Sequence, residues 1–358
     1  MVRLLAAARR LVLLTHARPD GDGLGSLIGL HLAAAAAGKT SHIFLLDPVP
    51  RRYEFLLPAA GPAALALAGA VRAPGGTAFQ AVQAQVGKPV PPDIAATPQA
   101  VAALADGFAA LAEPADMVLI VDTGAFSQLE PLRAPLRAAR AKLAVLDHHI
   151  TGDDLCDCAW IDPTAAAAGV MALELIEQLG WPLELSAEPL LAAILTDTGF
   201  FRFSNTDARA LRAAARLVEL GARPERIFEA VHQNDRPQRL RLLSAALGSL
   251  RFEAGGRLGV MSLTRDDFAR TGAADEEAED FVNEPLRVGG VEVSLLLSVR
   301  PDGKTRGSLR SRPGPGAVDV ARIAAHFGGG GHARAAGFRT DLPPEAVIQA
   351  VAQLVQTH

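Results

Sequence analysis

The sequence predicts an α/β protein in which an N-terminal domain on a parallel sheet is joined by a helical linker to a smaller α/β domain. Three observations carry that prediction. The length, 358 residues, suits two domains at ~100–200 residues each. In the first half, short Leu/Val/Ile runs (RLVLLTH, DMVLIVDTG, KLAVLDHH) alternate with helical stretches. Runs that are apolar on both faces belong to buried parallel strands, and strand–helix alternation is the signature of the α/β class. From Arg251 the texture changes to closely spaced strands: LGVMSL, VEVSLLLSVR and GSLRSR.

In chain order, MVRLLAAARRLVLLTH reads as a helix and a strand, its apolar runs being too short for a leader peptide. LGSLIGLHLAAAAAG is a helix closed by Gly38. Residues 72–106, rich in Pro, Gly, Ala and Gln, read as a partly helical insertion. SQLEPLRAPLRAARA is an amphipathic helix, and AAAAGVMALELIEQLG is the helix after the third strand. The stretch after TDTGFFRFSNT is a helical connector, so the expected division is a catalytic domain over 1–225, a linker over 226–250 and a second domain over 251–358.

Composition narrows the function classes. Lys+Arg 35 against Asp+Glu 39 leaves a net charge of −4, which argues against a general polyanion binder but leaves room for local arginines. Aromatics make up 5%, with one Tyr and two Trp, so stacking platforms for a long single strand are scarce and short substrates are favoured. Two cysteines, Cys156 and Cys158, make no disulfide scaffold and suit a reducing cytoplasm. No charge-free stretch of ~18 residues is present, so no membrane partner is expected.

Ligand-type residues stand where apolar runs end: His16, Asp20 and Asp22; Asp122; Asp147, His148 and His149; and Asp197 in LLAAILTDTG. In parallel α/β sheets, ligands collect at the carboxyl ends of strands. Carboxylates crowded into one turn repel, a divalent cation removes that cost, and imidazole shifts the preference toward Mn, Fe or Zn. Each cluster alone reads equally well as a helix cap, an Asx-turn or an incidental histidine. The four together read as one metal site, and the absence of cysteine from them argues against structural zinc.

In the second domain, Arg310 and Arg312 alternate with serines, Ser308 among them, and guanidinium binds phosphate bidentately. Four glycines at 328–331 precede His332; without side chains their N–H groups can approach a phosphate or base closely. The run lacks the Lys-Ser/Thr of a P-loop. Ser308, Arg310, Arg312, Gly329, Gly330, Gly331 and His332 are the candidate substrate contacts, across an expected cleft between the domains.

HARPDGDGLGS, VDTG, LDHH and TDTG in this order resemble the four motifs of the DHH phosphoesterase superfamily, and SLRSR with GGGGHARAAGF resembles the DHH-associated C-terminal domain. The two-domain chain is most similar to the bacterial nanoRNase group, oligoribonucleases that also dephosphorylate 3′-phosphoadenosine 5′-phosphate (pAp). The resemblance implies two Mn²⁺ per site, with Mg²⁺ or Co²⁺ as substitutes. His16, Asp20 and Asp122 would hold one; Asp22, Asp122, His148 and Asp197 the other. Asp147 would orient a neighbouring imidazole and His149 would face the scissile phosphate. Such a pair activates a water and offsets phosphoryl charge. Short RNA and pAp are the implied substrates. A cyclic-di-AMP or pApA phosphodiesterase is the nearest alternative. A manganese pyrophosphatase is disfavoured by GGGGH, and a non-catalytic nucleotide sensor by the intact ligand set. A homodimer is compatible with the residues and not required by them.

Overall fold

The computed structural model describes residues 1–60, 65–67, 98–150, 152–153, 156–300, 302–314 and 316–357. It divides into two compact units, Met1–Asn234 and Asp235–His358.

The first unit runs α1 (Val2–Ala7), β1 (Arg10–Leu14), α2 (Gly21–Ala36), β2 (Thr40–Leu45), α3 (Leu57–Ala60), β3 (Leu65–Leu67), α4 (Pro98–Ala112), β4 (Met117–Val121), α5 (Arg133–Ala138), β5 (Lys142–Asp147), β6 (Cys158–Ile161), α6 (Ala168–Leu179), α7 (Ala187–Asp197), α8 (Ala208–Glu219) and α9 (Pro224–His232). Its sheet has the order β3-β2-β1-β4-β5-β6 with every pairing parallel. The three expected apolar runs are its central strands, β1, β4 and β5, and all five residues of β4 are buried. Burial on both faces explains why these strands show no alternation. Strand order reverses between β1 and β4, the switch point outside which α/β sheets bind ligands.

Several expectations change. Sequence reading passed over β2, β3 and β6, which are short or broken by Ser, His, Cys and Trp. The stretch 127–141 is not one helix. Two single 3₁₀ turns, Phe126–Gln128 and Glu130–Leu132, precede the six-residue α5, because Pro131 and Pro135 lack the N–H a longer helix needs. Asp197 does not follow a strand; LLAAIL is helical and Asp197 is the last residue of α7. Of the expected insertion, 72–97 lies outside the described residues and 98–106 begins α4.

A glycine ladder brings α7 against α2. A Cβ on Gly21 would strike Thr196, one on Gly25 the Pro189 carbonyl oxygen and Ala193, and one on Gly29 the Leu190 side chain. Spaced four apart, these glycines line one face of α2 and let the helix axes approach closely.

The second unit runs α10 (Pro237–Gly248), β7 (Arg251–Glu253), β8 (Leu258–Leu263), α11 (Arg265–Thr271), β9 (Val293–Val299), β10 (Thr305–Ser311), α12 (Val320–His326), β11 (Gly330–His332), β12 (Ala335–Thr340) and α13 (Pro344–Gln356). Its sheet, β11-β12-β10-β9-β8-β7, is antiparallel except for the parallel β8–β9 pair. The unit boundary falls inside the expected linker: α9 lies in the first unit, while α10 packs Leu242 and Ala246 into the second unit's core beside Met261 and Leu263. Among the described residues no helix is long and apolar enough to cross a membrane.

Candidate active site

The first unit gathers every sequence-predicted ligand at the carboxyl end of its sheet. His16 follows β1, and Asp20 caps α2, accepting from the Gly23 N–H at 3.0 Å. Asp122 directly follows β4 and is held by its N–H donating to the Leu146 carbonyl at 2.9 Å. Its φ of 64° is left-handed, strain on the order of 1–3 kcal/mol that persists where surroundings impose it. The buried carboxylate stands between two imidazoles: Oδ2 is 3.4 Å from His16 Nε2 and Oδ1 is 3.4 Å from His148 Nε2. Asp20 Oδ1 is 3.7 Å from His16 Nε2, completing one group. Asp22 Oδ2 at 3.7 Å and Asp197 Oδ2 at 3.9 Å from His148 Nε2 complete the other. Ligand-capable atoms converge tightly enough to hold an ion in three sets: His16, Asp20 and Asp122; Asp22, His148 and Asp197; and Asp122, His148 and His149.

The surroundings fix which atoms face inward. His16 Nδ1 lies 2.9 Å from the Ala17 carbonyl and His148 Nδ1 lies 3.2 Å from the Ala165 carbonyl. A proton donated there leaves Nε2 for a cation. Asp22, fully buried, accepts from the Ala168 and Gly169 N–H groups at 2.6 and 2.8 Å, so the N-terminus of α6 pins it. Buried Asp147 accepts from His149 twice, from its main-chain N–H at 3.1 Å and from Nδ1 at 2.8 Å. The His149 ring held this way is half-exposed.

Electrostatics mark the cluster as one needing a cation. Burial opposes charge on His16, but the Asp122 and Asp20 carboxylates outweigh it and raise its pKa to about 11. His148 rises to about 10 against the same burial, through Asp122, Asp22 and Asp197. Burial and then the charges of Asp122 and Asp197 push Asp22 well above the carboxylate range. Asp197 reaches about 6, from burial first. Asp122 Oδ1 and His148 Nε2 are buried without a hydrogen-bond partner among the described residues. Such orphaned inward atoms are costly unless a ligand meets them. Hard carboxylates with imidazole fit a divalent cation, and Asp122 presents one oxygen to His16 and the other to His148.

The second unit aligns its two motifs. Across the sheet, Arg310 pairs with Ala335 and Ala335 with His332; Ser308 pairs with Gly337 and Gly337 with Gly330. Opposed residues share a face, so Arg310 and His332 stand in one row about 9–10 Å apart across two strand spacings. Two expectations change here. Arg312 follows β10, and its guanidinium is spent on the main-chain carbonyls of Val291, Leu286 and Val288. Of the glycines, Gly329 and Gly331 serve strand packing, since a Cβ on either would strike the β12 backbone, whereas Gly330 faces open space.

Sequence reading missed Asn205 and Gly23. Asn205 Nδ2 donates to the Ala166 carbonyl at 2.9 Å and to Asp197, at 3.2 Å to its carbonyl and 3.4 Å to Oδ2, bracing the carboxylate. Its only signal was an amide in a polar turn, FSNT, just after TDTG. A Cβ on Gly23 would stand 2.6 Å from Thr15 Oγ1 and 3.4 Å from both Asp122 and His16, so a side chain there would crowd the cluster.

Comparison with known proteins agrees with this geometry. The DHH family, N-terminal domain, matches residues 10–196 and the DHHA1 domain matches 259–357. A bifunctional oligoribonuclease and PAP phosphatase of Thermus thermophilus is 31% identical over 355 residues, covering 97% of this chain and 91% of that protein. The protein of the same name from Bacillus subtilis is 27% identical over 225 residues, 62% of this chain and 69% of that one. An exopolyphosphatase-related protein from Bacteroides fragilis shares the fold, with TM-score 0.82 at 21% identity over 99% of this chain and 94% of that one. The N-terminal match takes in every ligand of the cluster except Asp197, which stands one residue beyond it, and a relative above 30% identity spans both domains; the chain therefore belongs to the DHH family and is a phosphoester hydrolase.

Proposed function

We propose that this chain is a Mn²⁺-dependent hydrolase that trims RNA of a few nucleotides to mononucleotides and converts pAp to AMP. The observation that carries the reading is the placement of Asp122, one carboxylate oxygen toward His16 and the other toward His148. His16, Asp20 and Asp122 would hold one ion, and Asp22, Asp122, His148 and Asp197 the other. When bound, such a pair supplies an activated water and offsets charge on the phosphoryl oxygens.

The chain's own residues do the rest. Asp147 fixes the half-exposed His149 ring through Nδ1 and raises its pKa, which favours the protonated ring and an Nε2–H available to a substrate. That proton can be donated to a phosphoryl oxygen or to the departing ester oxygen. Ser308, Arg310, Gly330 and His332 would bind the nucleotide on the second unit, with Gly329 and Gly331 shaping the strand that carries His332. The choice of short RNA and pAp is supported by the Thermus thermophilus relative, whose match spans both domains.

The test is a turnover screen of short RNA, short DNA, pAp and cyclic dinucleotides with Mn²⁺, Mg²⁺ or EDTA. Wild type should act on short RNA and pAp with Mn²⁺ and stop in EDTA, and Asp122→Asn should lose both activities while keeping its fold. Full activity in the variant would remove the bridging role. Preference for cyclic-di-AMP or pApA would replace the substrate assignment.

A further inference from the structure

We propose that Phe228 and His232 on α9 are positioning residues for one half of the metal site: through Phe200 they hold the turn that fixes Asp197. The inference rests on the two-cation reading above.

Asp197 is the candidate ligand supplied by the far end of a helix; the others stand at strand ends or in the first turn of α2. The turn directly after Asp197 is strained. Gly199, Phe200 and Phe201 are left-handed in succession, with φ of 55°, 56° and 63°. Glycine adopts that region freely, whereas two phenylalanines there must be held by their surroundings. Hydrogen bonds supply part of the hold: the Phe200 N–H donates to the Leu195 carbonyl at 2.6 Å, and the Arg202 and Phe203 N–H groups donate to the Thr198 carbonyl at 3.0 Å.

Rings supply the rest. Phe200 meets Phe228 edge-to-face, centroids 5.4 Å apart at 89°, and meets His232 at 4.7 Å; Phe228 and His232 are themselves 5.0 Å apart. Edge-to-face pairs favour one orientation and not merely burial, so α9 dictates where Phe200 sits. Downstream the chain comes back through Asn205, which clasps both the carbonyl and the carboxylate of Asp197. The path from α9 to the ligand is thus Phe228 and His232, Phe200, the left-handed turn, then Asp197 and its clasp.

The path runs near the surface. A shallow surface groove of about 550 Å³ lies along turn and helix, lined by Leu195, Phe200, Phe201, Phe228 and Gln233 among others. Without the rings, only the hydrogen bonds would hold the turn in its left-handed conformation.

The experiment is a Mn²⁺ titration of the full chain, monitored by calorimetry and by the spin-coupled resonance signal of a Mn²⁺ pair. Asp197→Asn and Asp20→Asn serve as references for losing either half. Phe228→Ala and His232→Ala should bind one equivalent as wild type does and the second about 10–100-fold more weakly, with a diminished pair signal, as in Asp197→Asn. His232→Phe, which keeps a ring, should recover most of that loss. Equal weakening of both equivalents, or two wild-type equivalents in folded variants, would overturn the inference. Should Phe228→Ala fail to fold, His232→Ala against His232→Phe decides the matter. A wild-type chain that takes up a single equivalent removes the two-cation reading, and this inference with it.

Discussion

His16 and His148 carry protons beside the Asp122 carboxylate until a cation replaces them. With pKa values raised to about 11 and about 10, both imidazoles are protonated at neutral pH in the cation-free site. A cation needs their Nε2 lone pairs, so binding must release those protons and affinity must rise with pH. We expect about two protons released per pair at pH 7, more with the raised Asp22 carboxyl. Calorimetry in buffers of different ionisation enthalpy measures this; binding without proton release would show the imidazoles are not ligands. Asp147 makes a separate case. Its hydrogen bond is the largest cause of the raised His149 pKa. Asp147→Asn should therefore lower that pKa and move the alkaline limb of the rate profile down. It should also reduce kcat by about 10²–10⁴-fold, the worth of a positioned acid, with Mn²⁺ stoichiometry intact. An unshifted profile would mean that His149 does not titrate in the reaction. These ligands were legible in sequence because each stands at the end of an apolar run. Asn205 was not, since its role exists only through a contact between loops.

Among elements, the α2–α7 pair decides whether the second group assembles. Asp20 and Asp22 ride on the start of α2 and Asp197 on the end of α7, so the two helices must lie in close contact. Gly25 sits at the tightest point, where an added Cβ would strike the Pro189 carbonyl oxygen and stand 2.9 Å from Ala193 Cβ. Backbone cannot yield as a flexible side chain does, and Gly25→Ala should cost about 1–3 kcal/mol, read as a lower urea midpoint. Unchanged stability would show that the helices can separate without loss. The spacing Gly21, Gly25, Gly29 was visible in the sequence but uninformative there, because glycines four apart on a helix do not say which helix they will meet. Arg312 teaches the same caution: it sits in the motif beside Arg310, yet its donors serve main-chain carbonyls of a loop.

For the whole molecule, the two units keep separate cores. The first packs apolar residues on both faces of its parallel sheet. The second has one cluster under α12 and α13 and another in which α10 covers Met261, Leu263 and Leu296. A fragment Asp235–His358 should therefore fold alone with a single cooperative urea transition. A fragment beginning at Arg251 loses Leu242 and Ala246 from that cluster and should be less stable by about 2–4 kcal/mol. Equal stability of the two would mean that α10 is no part of the second unit's core.

The sequence by itself determined the α/β class, the central strands and the identity and order of the candidate metal ligands. Those features are written in local periods: apolar runs long enough to be buried strands, each ended by a residue too polar for the core. Only the tertiary structure decided that Asp197 comes from a helix, that a glycine ladder brings it to Asp22, and that Arg312 donates to loop carbonyls while Arg310 shares a row with His332. Each of these depends on contact between residues far apart in the chain, and such approach is set by packing and by unpaired backbone groups seeking partners, which no local pattern records.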